Sequence, residues 1–356
     1  MSEQKISDSL GGLTATLDNL DYFGIDVAAI GDLDGDGITD VMVSAFADDD
    51  GAIASGAVHV LFLNADGTVK AEQKISATEG GFGGTLIGGD QWGYAVAPIG
   101  DLDGDGRSEV AVSSAGFDDG GAGRGGLYVL FLNADGTVRT EQRISDTDGG
   151  FAAALEDSDG FGYSLGEIGD LDGDGIKDLA VGATGDDDGG SNRGAVYVLF
   201  MNADGTVRAE QKISDTIGGL TATLDDDDRF GRSIAGLGDL DGDGIEDLAV
   251  SADGDDDGGS NRGAVYVLFM NANGTVKAEQ KISDLNGGFA TTLNDSDYFG
   301  DSIAALGDLD GDGAEDLAVG AQNADDGGNS RGEFYILNLN TDGTVKTEGK
   351  VSDTDG

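Results

Sequence analysis

One hexapeptide recurs at an unvarying interval. Asp-Leu-Asp-Gly-Asp-Gly begins at Asp32, Asp101, Asp170, Asp239 and Asp308, always 69 residues after the last. Five such units account for all but a short remainder of the 356 residues. Residues 170–238 and 239–307 are identical at 54 of 69 aligned positions. Segments copied this faithfully share one local structure, and each repeat must bury its faces on its neighbours.

Each unit reads as four short strands. In the third, residues 161–168 alternate apolar with small or polar side chains. Residues 176–183 end in a nearly continuous apolar run, as an inner strand covered on both faces requires. Ala195–Met201 is β-branched and aromatic. Asn202-Ala203-Asp204-Gly205 is a tight hairpin signal. Residues 207–214 are the most polar and suit an outer edge facing water. Four antiparallel strands repeated five times, with no helical periodicity, predict an all-β chain. It is either a five-bladed β-propeller or an open β array. We adopt the propeller, with blades at about 21–89, 90–158, 159–227, 228–296 and 297–356. The fourth-strand sequence 210–215 returns at both termini, in 3–8 and 348–353. Residues 1–20 are therefore expected to supply a spare or ring-closing outer strand. A monomer is expected, with a strand-swapped oligomer as the other outcome.

Composition narrows the chemistry. No Cys is present, so disulfides, thiolate metal sites and cysteine nucleophiles are excluded. A Ser-His-Asp triad would have to use His59, the only histidine. Seventy acidic against 19 basic residues give a net charge of −51. Such a chain repels phosphate backbones and anionic membranes. So many like charges in a compact body also repel one another, which points to bound cations. The longest apolar runs, such as Ala195–Met201, are too short to span a bilayer. The opening Met-Ser-Glu-Gln-Lys-Ile-Ser has no basic or apolar signal region, so no signal peptide is expected.

The repeated loop supplies the cation ligands. Its pattern is D-x-D-x-D-G-x-x-D: Asp32, Asp34, Asp36 and Asp40, with the Ile38 carbonyl at the seventh position. The equivalents are Asp101, Asp103, Asp105, Arg107 and Glu109; Asp170, Asp172, Asp174, Ile176 and Asp178; Asp239, Asp241, Asp243, Ile245 and Asp247; and Asp308, Asp310, Asp312, Ala314 and Asp316. Calcium takes six to eight oxygens at about 2.3–2.6 Å, and alternate residues of a tight loop turn carboxylates toward one centre. Gly37 and its counterparts permit the sharp turn. Position twelve is Val43, not the Glu of an EF-hand. Magnesium, which retains waters in strict octahedral geometry, fits less well. About five Ca²⁺ ions, one per blade, are expected, with Glu109 making the second site the most altered.

These residues resemble the FG-GAP repeats of integrin alpha subunits and bacterial extracellular proteins. The Phe-Gly pairs are Phe23-Gly24, Phe161-Gly162, Phe230-Gly231 and Phe299-Gly300, with Trp92-Gly93 in the second unit. The resemblance places the calcium loop between the first and second strands of a blade. It implies an extracellular, calcium-dependent adhesion or ligand-recognition module with an unidentified protein or glycan ligand. The Gly-Ala-Pro segment is degraded, as at Gly182-Ala183-Thr184, and two departures stand out: integrin-type propellers have seven blades against five units here, and these units are longer, mainly through acidic, glycine-rich loops. The other readings are a structural repeat segment or engineered propeller without its own ligand, and a non-catalytic part of a hydrolase. Paired carboxylates could in principle cleave a glycosidic bond. Each carboxylate here has four copies, however, whereas catalytic sites draw unlike residues together, so no enzyme is expected.

A second acidic run follows the second strand: Asp48-Asp49-Asp50, Asp118-Asp119, Asp186-Asp187-Asp188, Asp255-Asp256-Asp257 and Asp325-Asp326. It is read as a solvated loop, with a second cation site as the alternative. Arg124, Arg193, Arg262 and Arg331 are expected to neutralise nearby carboxylates. Asp21, Asp90, Asp159, Asp228 and Asp297 are expected to cap a turn or bond a neighbouring blade. His59 stands where other units have Tyr, and Trp92 where they have Phe, so both are expected in the core.

Overall fold

A computed structural model describes residues 4–325 and 328–352. Glu3, Asp326 and Asp353, named above, lie outside the described residues. The fold is the predicted all-β five-bladed propeller: five sheets, each of four antiparallel strands in sequence order, and no helix among the described residues. In the third blade the strands are Ser164–Glu167, Leu179–Ala183, Ala195–Met201 and Val207–Ile213. The third strand falls where its apolar run predicted, and all seven of its residues are buried. The first two strands are shorter than the sequence suggested. Their expected leading residues instead form the aromatic-Gly turn and the tail of the acidic loop.

The hairpin to the fourth strand is fixed by local bonds. Gly205 adopts φ 78° and donates its N–H to Asn202 O at 2.9 Å. Asp204 Oδ1 accepts Thr206 Oγ1 at 2.6 Å. The left-handed glycine produces a bulge, seen as a register shift at Phe62/Leu63 and its equivalents.

The chain forms two compact units, Met1–Leu165 with Met201–Arg208, and Gly166–Phe200 with Ala209–Gly356. In the first, Val58, Val60 and Ile75 of one blade share a core with Trp92, Val96 and Tyr128 of the next. In the second, Val265, Val267 and Ile282 meet Phe299, Ile303 and Tyr335 in the same way. Backbone bonds repeat this logic. The N–H of Val69, Val138, Val207, Val276 and Val345 each reaches the carbonyl of a glycine preceding its blade, at 2.8 Å. Gly11 serves Val69 in this role. The described residues 4–20 form no strand, the bridge Ser7↔Leu10 being the pairing among them, and Leu13 packs with Val43, Leu61 and Val69 of the first blade.

Trp92 is fully buried and stacks on Phe82 at 4.6 Å. His59 is buried edge-on to Phe23, and neither ring nitrogen has a hydrogen-bond partner. Burial, with Lys74 nearby, pushes its pKa down to about 4, against the opposing pull of Asp48 and Asp50. An unfolded histidine takes up its proton near pH 6.5. Between pH 6.5 and 4 only the unfolded chain is protonated, so stability falls as pH falls, by roughly 3 kcal/mol in all. His59→Tyr should abolish that component. Melts of both proteins across this range check it; parallel pH profiles would refute the assignment.

Candidate metal centre

Each loop leaves the first strand and turns before entering the second. The first Asp shapes it: Asp32 Oδ1 accepts the Gly35 and Asp36 N–H groups at 2.9 Å, and Oδ2 accepts that of Gly37 at 2.8 Å. Gly37 adopts φ 88°, which L side chains rarely tolerate. The fifth-position carboxylate accepts the seventh-position N–H in every blade, at 2.9–3.0 Å for Ile38, Arg107, Ile176, Ile245 and Ala314. That bond turns the carboxylate back into the loop.

The ninth position anchors the loop to the sheet. Buried Asp40 accepts the Leu33 and Leu63 N–H groups, each at 3.0 Å. Asp247 does the same with Leu240 and Met270, and Asp316 with Leu309 and Leu339. Burial pushes Asp247 up to about 6. Glu109 is longer. Its Oε2 accepts the Leu102 N–H at 2.6 Å, while its buried Oε1 has no partner. Burial and the surrounding aspartates push its pKa up to about 7.

Oxygens of the predicted ligands gather. Asp32, Asp34 and Asp36 in the first blade place ligand atoms within 4.8 Å of one another. In the other four blades the clustered set is the first, third and ninth positions: Asp101, Asp103, Glu109; Asp170, Asp172, Asp178; Asp239, Asp241, Asp247; Asp308, Asp310, Asp316. Asp40 in the first blade, and Asp105, Asp174, Asp243 and Asp312 in the others, fall outside these groups of three. The donor set is all hard oxygen, which suits a cation of the calcium type. Glu109 Oε1 is a buried acceptor left open beside two such carboxylates.

One partner was missed from sequence. In four blades a basic residue near the start of the fourth strand reaches over the loop. Lys70 pairs with Asp34 at 2.6 Å and with Asp36. Lys277 pairs with Asp241 and Asp243 at 2.6 and 2.5 Å, and Lys346 with Asp310 and Asp312 at 2.7 and 2.5 Å. Arg139 pairs with Asp103 and Asp105. These bonds hold Asp36, Asp243 and Asp312 below the usual carboxylate range. The ammonium stands beside the carboxylates as a partial substitute for an ion. The 69-residue spacing of Lys70, Arg139, Arg208, Lys277 and Lys346 was the available signal.

The second acidic run is only in part a solvated loop: Asp49, Asp118 and Asp325 are exposed, but the first aspartate of the run is buried in three blades. Asp48, Asp186 and Asp255 are buried, and each pairs with a fourth-strand lysine: Lys74 at 2.8 Å, Lys212 at 2.6 Å and Lys281 at 2.6 Å. Middle members cap a turn, as Asp187 Oδ1 does for the Asn192 N–H at 2.8 Å. Arg124, Arg193 and Arg262 neutralise carboxylates, for example Asp215 at 2.8 Å and Asp226 at 3.1 Å from Arg193. Asp21, Asp90, Asp159, Asp228 and Asp297 each cap a turn by accepting the N–H three residues back, at 2.6–2.8 Å. Burial pushes Asp90 up to about 6 and Asp228 to about 7.

Four-stranded blades, each with an aspartate-rich loop between its first and second strands, define a repeat propeller. The FG-GAP repeat model matches residues 161–199, 230–268 and 299–337. Those three stretches carry FG-GAP repeats, and the chain is similar to integrin alpha chains. It is 35% identical to integrin alpha-4 of Xenopus laevis over 153 residues, 43% of this chain and 13% of that one. With integrin alpha-5 of Xenopus laevis the identity is 33% over 176 residues, 46% of this chain and 15% of the relative. With integrin alpha-PS2 of Drosophila melanogaster it is 31% over 246 residues, 65% and 15%. The chain thus spans well under a fifth of the length of these relatives. No helix among the described residues is long and apolar enough to cross a membrane.

Proposed function

We propose that the chain is a calcium-binding module for adhesion or ligand recognition outside the cell, in which calcium is mainly structural and no catalysis occurs. The observation that carries the calcium reading is the carboxylate cluster repeated in all five loops, with a buried unpartnered Glu109 oxygen in one of them. Calcium supplies a centre of positive charge to these loops. The chain's own residues orient the oxygens and neutralise the excess negative charge. The likeness to integrin alpha chains supports recognition of a protein or glycan ligand at the cell surface.

Native mass spectrometry in calcium buffer tests the sites. About five bound ions are expected, one for each clustered loop. Asp239→Asn with Asp241→Asn should remove one. No bound ion would overturn the reading, and about ten would bring in the second acidic runs as well. Binding to immobilised glycans and matrix proteins, lost in EDTA, tests recognition. The 54 identities in 69 between adjacent units favour a second reading, a repeat segment without its own ligand, because a specialised face would diversify its loops. A clean binding screen would select it.

A further inference from the structure

Carboxylate clusters of nearly one sequence would hold a cation alike, were it not for the basic side chains beside them. In four blades the base near the start of the fourth strand touches carboxylates that the cluster itself uses. Lys70 pairs with Asp34 at 2.6 Å and with Asp36, and both aspartates belong to the first cluster. Arg139 pairs with Asp103, Lys277 with Asp241 at 2.6 Å, and Lys346 with Asp310 at 2.7 Å; each of these aspartates is the third-position member of its cluster. The same bases reach the fifth-position carboxylates, Asp105 at 3.0 Å, and Asp243 and Asp312 at 2.5 Å. The base and a cation held by the cluster therefore draw on the same oxygens, and two cations sharing one carboxylate repel each other.

The balance of charge differs from loop to loop. The first sets four aspartates against Lys70. The fourth and fifth add a carboxylate at the eighth position. One is Glu246, whose charge Asp239 opposes; the other is Glu315, whose Oε1 accepts the Gly307 N–H at 2.6 Å. The second adds a base instead. Arg107 pairs with Asp105 at 3.3 Å, so two guanidinium groups face the four carboxylates of that loop.

Resting on the calcium reading proposed above, we infer that these bases set the calcium affinity of their loops. The fourth and fifth loops bind more tightly than the first, and the first more tightly than the second. A unit charge in contact with the ligand carboxylates opposes a divalent ion by about tenfold in affinity, even under water-like screening. The bases are partly exposed, so salt weakens their effect.

The test is a calcium titration of the full chain, with ions per molecule counted by native mass spectrometry and midpoints read by calorimetry. Lys277→Met should move one binding step to about tenfold lower free calcium, and Lys277→Arg, which keeps the charge, should leave that step in place. Adding Asp239→Asn and Asp241→Asn to Lys277→Met should abolish the moved step, which assigns it to the fourth loop. The step lost in Asp101→Asn with Asp103→Asn should lie at higher calcium than the step lost in Asp239→Asn with Asp241→Asn. Arg107→Ile, which gives the second loop the first loop's residue at that position, should bring its step down. These differences should shrink at about 1 M salt, where the Debye length is about 3 Å. A base that served only to hold the fourth strand against the loop would act the other way, because its loss would weaken calcium binding or leave it unchanged. An unchanged or higher midpoint in Lys277→Met, with ions still bound, would overturn the inference and leave the calcium reading standing. So would a second loop that fills before the fourth. A wild-type chain that binds no ion would overturn the calcium reading itself, and this inference with it.

Discussion

Excess EDTA should unfold the chain or remove most of its margin of stability. At free calcium one hundred times Kd, each site adds about 2.7 kcal/mol, and five sites sum to roughly 13 kcal/mol. A domain's whole margin is about 5–15 kcal/mol. The physical origin is visible in the first loop. Asp32, Asp34 and Asp36 crowd together, and Lys70 is the one basic side chain paired with them among the described residues. Without a further cation, each loop retains net negative charge at close range. The measurement is a thermal melt in calcium and in EDTA at fixed ionic strength. An unchanged melt would sink the structural role, even if ions are counted by mass.

The second large effect is expected at Lys281→Met. This lysine pairs with Asp255 at 2.6 Å and Asp257 at 2.9 Å, and Asp255 is buried. Removing the ammonium strands a buried carboxylate, which costs about 3–5 kcal/mol. The second blade shows how to recover it. Phe117 stands where Asp255 would, packed edge-on to Tyr128 at 5.8 Å, and Arg143 turns to Asp119 and Asp148. Adding Asp255→Phe to Lys281→Met should therefore restore most of the loss. Denaturant unfolding at saturating calcium measures both. A single-variant loss under about 1 kcal/mol would return the acidic run to the status of a solvated loop.

The repeat made the fold legible. A strand such as Ala195–Met201 is apolar on both faces, and its bounds follow from composition alone. First strands were harder because their lengths vary from three residues at Ile234–Gly236 to seven at Phe299–Ala305, within nearly identical sequence. Their ends depend on how the aromatic-Gly turn meets the preceding blade, which no local pattern encodes. The loop ligands were legible because their spacing is local. The lysines that pair with them were not. Lys70 lies 34 residues beyond Asp36, and their meeting requires the register of three strands. Lys74 and Asp48 escaped notice for the same reason, and a buried ion pair was read as a hydrated loop.

The blade junctions bear on inheritance as well as packing. A Cβ on Gly56, Gly125, Gly194 or Gly263 would meet the aromatic carbonyl of the following blade at 2.0–2.2 Å, so only glycine fits. Each of these seats accepts an aromatic backbone in the same way, whichever blade provides it. Loss or gain of one whole 69-residue unit therefore joins a seat to a visitor of the kind it already holds. Unequal crossing-over between near-identical coding segments preserves the reading frame and the junction together. Blade number in such a chain is free to drift over generations in whole steps, while any change of part of a unit is exposed to selection at once.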